Sequence, residues 1–145
     1  MTSTVRQLLL AKGNKVHAIS PEATVFEALE RMAAHDVGAL MVMKDDQLVG
    51  IFSERDYARK IILMGRISKD TRVGEVMTSD LITVTPEATV ADCMNLMTDH
   101  HIRHLPVLED GKLVGVISIG DVVKAIITQQ EFMIAELESY ITGSR

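Results

Sequence analysis

The chain repeats itself. Setting residues 19–62 over residues 84–127, an offset of 65, needs no gap, and 17 of the 44 aligned pairs are identical. Pro21-Glu22-Ala23-Thr24-Val25 returns unchanged as Pro86-Glu87-Ala88-Thr89-Val90. This restricts the fold more than any composition figure does, because whatever the first copy becomes, the second becomes too. A unit of roughly 60 residues is marginal alone. Two such units placed back to back bury one sheet face against the other and supply the missing core.

Each copy reads in the same order. Residues 16–19 form a short strand. Thr24 and Glu27 then have capping-box spacing, and Thr89 and Asp92 repeat it in weaker form. Apolar residues follow at Val25, Ala28, Leu29 and Met32, and at Val90, Cys93, Met94 and Met97, the i, i+3, i+4, i+7 spacing of a helix face. Two apolar runs split by a polar turn come next, residues 39–43 and 48–52 in one copy, 105–108 and 113–117 in the other. Asp110-Gly111 between the latter pair is a hairpin signal, since both residue types tolerate positive φ. A second helix follows each hairpin, over about residues 55–63 and from about Gly120 onward. The expected class is α+β, strand–helix–strand–strand–helix twice. The first repeat spans residues 4–63, including a short helix begun at Thr4 and ended by Gly13. Residues 64–72 are a linker, and 73–127 are the second repeat, led by a short helix at 73–77. Residues 128–145 continue the last helix, with Met133, Leu137, Tyr140 and Ile141 on one side and Gly143 as its stop.

Aromatic residues are 3% of the chain and Trp is absent, so the core must be aliphatic. A net charge of −5 argues against a broad nucleic-acid partner, which needs a basic face. The single cysteine, Cys93, excludes an internal disulfide and a cysteine-based zinc site. No apolar run approaches the ~18 residues of a membrane span, and the N-terminal residues do not read as a secretory signal. The expectation is a soluble cytoplasmic protein with no membrane partner.

The chemistry sits where each hairpin ends. Gly50-Ile51-Phe52-Ser53-Glu54-Arg55-Asp56 and Gly115-Val116-Ile117-Ser118-Ile119-Gly120-Asp121 each run a buried strand into a serine, with an aspartate three residues on at a helix start. A carboxylate there can accept both hydroxyls of a ribose, and a serine hydroxyl beside free helix N–H groups can bind phosphate. Ser-x-x-Asp is equally a capping box, and the two roles are compatible. Gly120 admits close backbone approach, whereas its counterpart Arg55 offers a forked cation or a plain surface charge. His100, His101 and His104 invite a metal, but Leu105-Pro106 begins a strand and no carboxylate pair lies beside them, so none is expected. Cys93 occupies the place of Ala28 on an apolar helix face and reads as a buried thiol. No phosphate-cradling Gly-rich loop or nucleophile elbow is present. Among catalytic readings, only His104 near a phosphate suggests a nucleotide hydrolase, and no catalytic residue is nominated.

The order of elements, the doubling, the segment His101-Ile102-Arg103-His104-Leu105-Pro106-Val107 and the Gly-x-Ile-Ser-x-x-Asp strand end resemble the CBS domain over about residues 4–127. The run from Phe52 to Tyr57 also resembles small stand-alone CBS-pair proteins without an enzyme domain. The resemblance implies a Bateman module, two units with pseudo-twofold symmetry packed through their sheets. It implies two clefts for adenosine-containing ligands (AMP, ADP, ATP, NAD or S-adenosylmethionine), pairing through helices into a homodimer, and regulation of an unknown partner without catalysis or a catalytic cofactor. One cleft would use Ser118, Ile119, Gly120 and Asp121 with Arg103 and His104 on phosphate, and walls from Asn14, Lys15, Val16 and Val37. The other would use Ser53, Arg55 and Asp56 with Gly38 and Ala39, and walls from Ser79, Leu81 and Ile102. Val37 and Ile102 are equally ordinary core residues. Gly38-Ala39 stands where the other copy has Arg103-His104, so the clefts are expected to differ. The competing reading is a constitutive dimerising scaffold with one or both clefts unused.

Overall fold

The computed structural model describes residues 3–142; the expected stop at Gly143 lies outside them. The elements are α1 (Val5–Lys12), β1 (Ala18–Ile19), α2 (Val25–His35), β2 (Ala39–Lys44), β3 (Gln47–Ser53) and α3 (Glu54–Asp56), which passes into a π-helical turn at Tyr57–Ile62. A 3-10 turn at Ser68–Asp70 leads to α4 (Val73–Val76), α5 (Val90–His100), β4 (His104–Glu109), β5 (Lys112–Ser118) and α6 (Ile119–Thr142). The fold is α+β, two related units with β3 and β5 against each other.

Local chemistry sets most boundaries. Thr4, Thr24 and Thr89 each accept a hydrogen bond from the third helical residue, and the side chains of Gln7, Glu27 and Asp92 accept one from the cap N–H. α2 and α5 both end on a left-handed residue, Asp36 and His101. The two hairpins turn on Asp45-Asp46 and Asp110-Gly111, all four at positive φ, which matches the strand twist. Both ladders shift register at the same place, between Val42 and Met43 and between Val107 and Leu108.

The copies differ at their first strand. β1 pairs parallel with β2, and Met41 donates its N–H to the His17 carbonyl. The residue equivalent to Met41 is Pro106, which has no N–H to give. The expected opening strand of the second copy therefore shrinks to a single bridge, Val84 to Val107.

Each unit has its own core, and each is completed by a segment that precedes the other unit. Val5 of α1 is fully buried with Val84, Val90, Leu105 and Ile117 of the second repeat. Val73 and Val76 of α4 are buried with Val25, Leu40 and Phe52 of the first. The repeated Pro-Glu-Ala-Thr-Val segment is the dock. Val73 N–H donates to Ala23 O and Gly74 N–H to Pro21 O, while Val25 N–H donates to Thr71 O. In the other unit Val5 N–H donates to Ala88 O, Arg6 N–H to Pro86 O, and Val90 N–H to Ser3 O. Burying one such valine stabilises by about 1.5–3 kcal/mol.

Candidate functional site

Asp121 stands two residues inside α6, directly past the end of β5. Its N–H donates to Ser118 Oγ at 3.2 Å, and its Oδ2 accepts the Ser118 N–H at 2.8 Å. The Ser-x-x-Asp pair is therefore a closed capping box. The same oxygen is 2.6 Å from Lys12 Nζ, and that ammonium also donates to the Val116 carbonyl at 2.9 Å. Oδ1 takes no hydrogen bond among the described residues. Burial opposes ionisation of Asp121, but the bonds from Lys12 and Ser118 outweigh it and hold the carboxyl below the usual range.

Asp56 has the same frame and a different fate. Its Oδ2 accepts Ser53 N–H at 3.0 Å and Ser53 Oγ at 3.1 Å. Its Oδ1 accepts Thr78 Oγ1 at 2.9 Å and lies 3.0 Å from Lys60 Nζ. Thr78 is fixed there by mutual backbone bonds with Ile51. The Asp56 side chain is 8% exposed and both its oxygens are engaged, whereas the Asp121 side chain is 22% exposed with one oxygen free.

Each carboxylate is thus met by the segment crossing from before the other unit, Lys12 for Asp121 and Thr78 for Asp56. The sequence reading named the neighbours, Asn14, Lys15 and Val16 in one case and Ser79 and Leu81 in the other. Asn14, Lys15 and Ser79 are exposed, Val16 and Leu81 half-buried, and no hydrogen bond joins any of the five to an aspartate. Lys12 carried no sequence signal of its own, being one lysine at a helix end. The crossing of segments is what aims it.

His104 is the first residue of β4 and half-buried, while Arg103 is exposed and its carbonyl receives the Ile119 N–H. A Cβ on Gly38 would lie 2.9 Å from Glu54 Oε1 and 4.0 Å from His104 Cε1. Gly38, Glu54 and His104 therefore meet where the repeats face each other, and Gly38 is the small residue that leaves the space. Burial holds the His104 imidazole below its ordinary 6.5; Lys12 and Arg103 add to this, while Asp121 and Glu54 oppose it. Arg55 donates to the His101 carbonyl at 2.6 Å, a cation at the C-terminus of α5, next to Ile102. Val37 packs on the first core and Ile102 on the second; Ala39 is buried, Ile119 half-buried against the second core, and Gly120 exposed, where an added Cβ would lie 3.7 Å from Ser118 Oγ.

The three histidines do not share a helix face. α5 ends at His100, His101 is left-handed and His104 is in β4, and no group of three or more His, Cys, Asp or Glu among the described residues is placed to hold a metal. Cys93 is buried, and burial with Asp92 beside it pushes its thiol up to about 11. A groove of about 770 Å³ opens between α1 and α6, with Lys12 and Asp121 at one end and Leu8, Ala125 and Phe132 along its walls. No helix among the described residues is long and apolar enough to cross a membrane.

Known proteins share this architecture. A family model described as CBS domain matches twice, at residues 6–63 and 73–128. The chain is 43% identical over 151 aligned positions to a mitochondrial CBS domain-containing protein of Arabidopsis thaliana, CBSX3, covering 98% of this chain and 73% of that one. It superposes on the crystal structure of the CBS domain NE2398 with a TM-score of 0.85 and 50% identity, over 88% of this chain and 99% of the other. The CBS domain pair of the protein MJ0100, crystallised with 5′-methylthioadenosine and S-adenosyl-L-methionine, has the same fold at 21% identity. Its TM-score is 0.79, with 89% and 99% coverage.

Proposed function

The chain belongs to the CBS domain family, and from that premise we propose that it is a non-catalytic regulatory module. It binds an adenosine-containing ligand (AMP, ATP, NAD or S-adenosylmethionine) between its repeats. The observation that carries this reading is the state of Asp121, a half-buried, ionised carboxylate with one oxygen free and the other held by a displaceable lysine. A ribose takes both carboxylate oxygens. Lys12 then gives way and stands with Arg103 as the cationic side of the site, toward the phosphate, with the neutral His104 imidazole beside them as a hydrogen-bonding group. MJ0100 supports the reading at the level of the fold, since that pair accommodates adenosine compounds.

The second reading, a scaffold with an unused cleft, is favoured for the first repeat alone. Asp56 has no free oxygen, so a ribose there must break bonds to Thr78 or Lys60. The mechanism follows from the crossing of segments. A ligand that displaces Lys12 loosens α1 from the second repeat and shifts the population of arrangements in a helix-paired homodimer, which a regulated partner reads. The same reading keeps the protein in the cytoplasm, although the Arabidopsis relative carries "mitochondrial" in its name; cell fractionation decides between the two.

Calorimetry of nucleotide-stripped protein with AMP, ATP, NAD and S-adenosylmethionine tests the proposal. At least one ligand is expected to bind, and Asp121→Ala is expected to weaken it by about tenfold or more, the loss of a charged hydrogen-bond acceptor. Asp56→Ala is expected to change it far less. No binding by any of the four at millimolar ligand rejects the sensor reading, and equal losses in the two variants reject the assignment to Asp121.

A further inference from the structure

α6 is 24 residues long, and the family match ends at residue 128. The turns beyond that point carry the helix about 20 Å further at 1.5 Å per residue. Val123, Ile127, Gln130, Ile134, Leu137 and Ile141 fall on one line of this helix at alternating spacings of four and three, a heptad seam. Its five apolar members are all open to solvent, from 42% at Val123 to 80% at Ile141. The face of α6 that serves the core is different, with Val122 buried and Ala125 and Ile126 packed on the second core. One edge of the seam carries Lys124, Glu131 and Glu138, seven residues apart, and none of them makes an ion pair among the described residues.

We propose that this seam is an interface with a second copy of the chain, the two α6 helices running antiparallel. It gives a surface to the pairing named above and rests on that pairing, not on the ligand. The charges choose the direction. Side by side in parallel, the flanking Glu131 and Glu138 of each helix face only Ile126 and Met133 of the partner subunit. Antiparallel, with Ile127 layered on Leu137 of the partner subunit and Ile134 on its Gln130, Lys124 reaches Glu138 of the partner subunit, and the pair forms twice by symmetry, against one like-charge meeting of the two Glu131 side chains at the axis. The basic residue lies at the body end of α6 and the acidic ones toward its tip, so each tip finds the opposite charge only against the other molecule's body. The one polar seam residue, Gln130, lies near the centre, where a polar group fixes register.

Sedimentation velocity on the full chain tests this. The wild type is expected to be dimeric, and Ile134→Glu, which puts an unpaired charge into the seam, is expected to weaken dimerisation about 100-fold or more while leaving the helical circular dichroism unchanged. A monomeric wild type overturns both the pairing and the seam, and leaves the face to a partner of another kind. A dimer indifferent to Ile134→Glu overturns the seam but keeps pairing through other helices. Direction is read by cross-linking, because the sole native cysteine, Cys93, is buried. Val123→Cys with Ile141→Cys is expected to form disulfide-linked dimers on oxidation, and Ile141→Cys alone is not; a strong cross-link through Ile141→Cys alone overturns the antiparallel arrangement.

Discussion

Two aspartates 65 positions apart share a frame and differ in what is left over. Each closes a capping box with its serine, but Thr78 and Lys60 take the remaining oxygen of Asp56, while that of Asp121 stays open. Between the two units lies His104, whose imidazole burial keeps below 6.5. Because the folded-state value is depressed, the unfolded chain takes up the proton first. Stability is therefore lost as pH falls through about 6.5 toward the folded value. Urea unfolding at about pH 7.5 and 5.5 should show lower stability at the acid end, and His104→Gln should flatten that slope. His17, depressed by burial and by His35 and Lys15, has the same sign and accounts for part of the slope that remains. A slope unchanged in His104→Gln counts against a buried neutral imidazole. At this scale the sequence disclosed the serine and aspartate, because capping spacing is local. It did not disclose Lys12, Thr78 or Glu54, because their roles depend on where a distant segment crosses.

Among the elements, β3 and β5 each carry a glycine under a crossing side chain. A Cβ on Gly50 would lie 2.6 Å from Met77 Sδ and 3.0 Å from the Thr78 carbonyl oxygen. On Gly115 it would lie 2.6 Å from Leu9 Cδ2, and its three nearest atoms all belong to the Leu9 side chain. Leu9 can swing its end aside, but the Thr78 carbonyl is fixed by its bonds to Ile51. Gly50→Ala is therefore expected to cost about 1–3 kcal/mol by overpacking, and Gly115→Ala clearly less. Equal midpoints in chemical denaturation would contradict this ordering. Hairpins, caps and helix faces were readable from spacing, since each is fixed by residues within a few positions of one another. Two features were not. The single-residue bridge of the second copy follows from Pro106 lacking the N–H that Met41 uses, a consequence visible only once the strands are paired. The π-helical turn at Tyr57–Ile62 has no counterpart in α6, and nothing in the structure explains it.

Across the whole molecule, the two cores are each completed from outside their own repeat, α1 serving the second and α4 the first. A cut after residue 66 would leave the first repeat with a segment that belongs to the other core and without Thr71 and Val73, which close its own. A fragment of residues 14–78 keeps those closing contacts. The second fragment is expected to show more cooperative unfolding and greater amide protection around Leu40 and Phe52 than a fragment of residues 1–66; the opposite order would contradict the exchange. The duplication was plain in the sequence, and so was the marginal size of one unit. The exchange was not, because nothing in the spelling of Pro-Glu-Ala-Thr-Val says which chain segment will dock on it.

That dock has a bearing on ancestry. A solitary unit of this kind, with its leader in front, meets its own hook only by borrowing the leader of another chain, so two unfused units trading leaders would form an intertwined pair. Joining them end to end changes no contact. It replaces a concentration-dependent encounter by a tethered one, at the high effective concentration a short connector provides. The present chain has the form of such a partnership made permanent, and once each half holds the other's leader, neither can be lost without unmaking the half that remains.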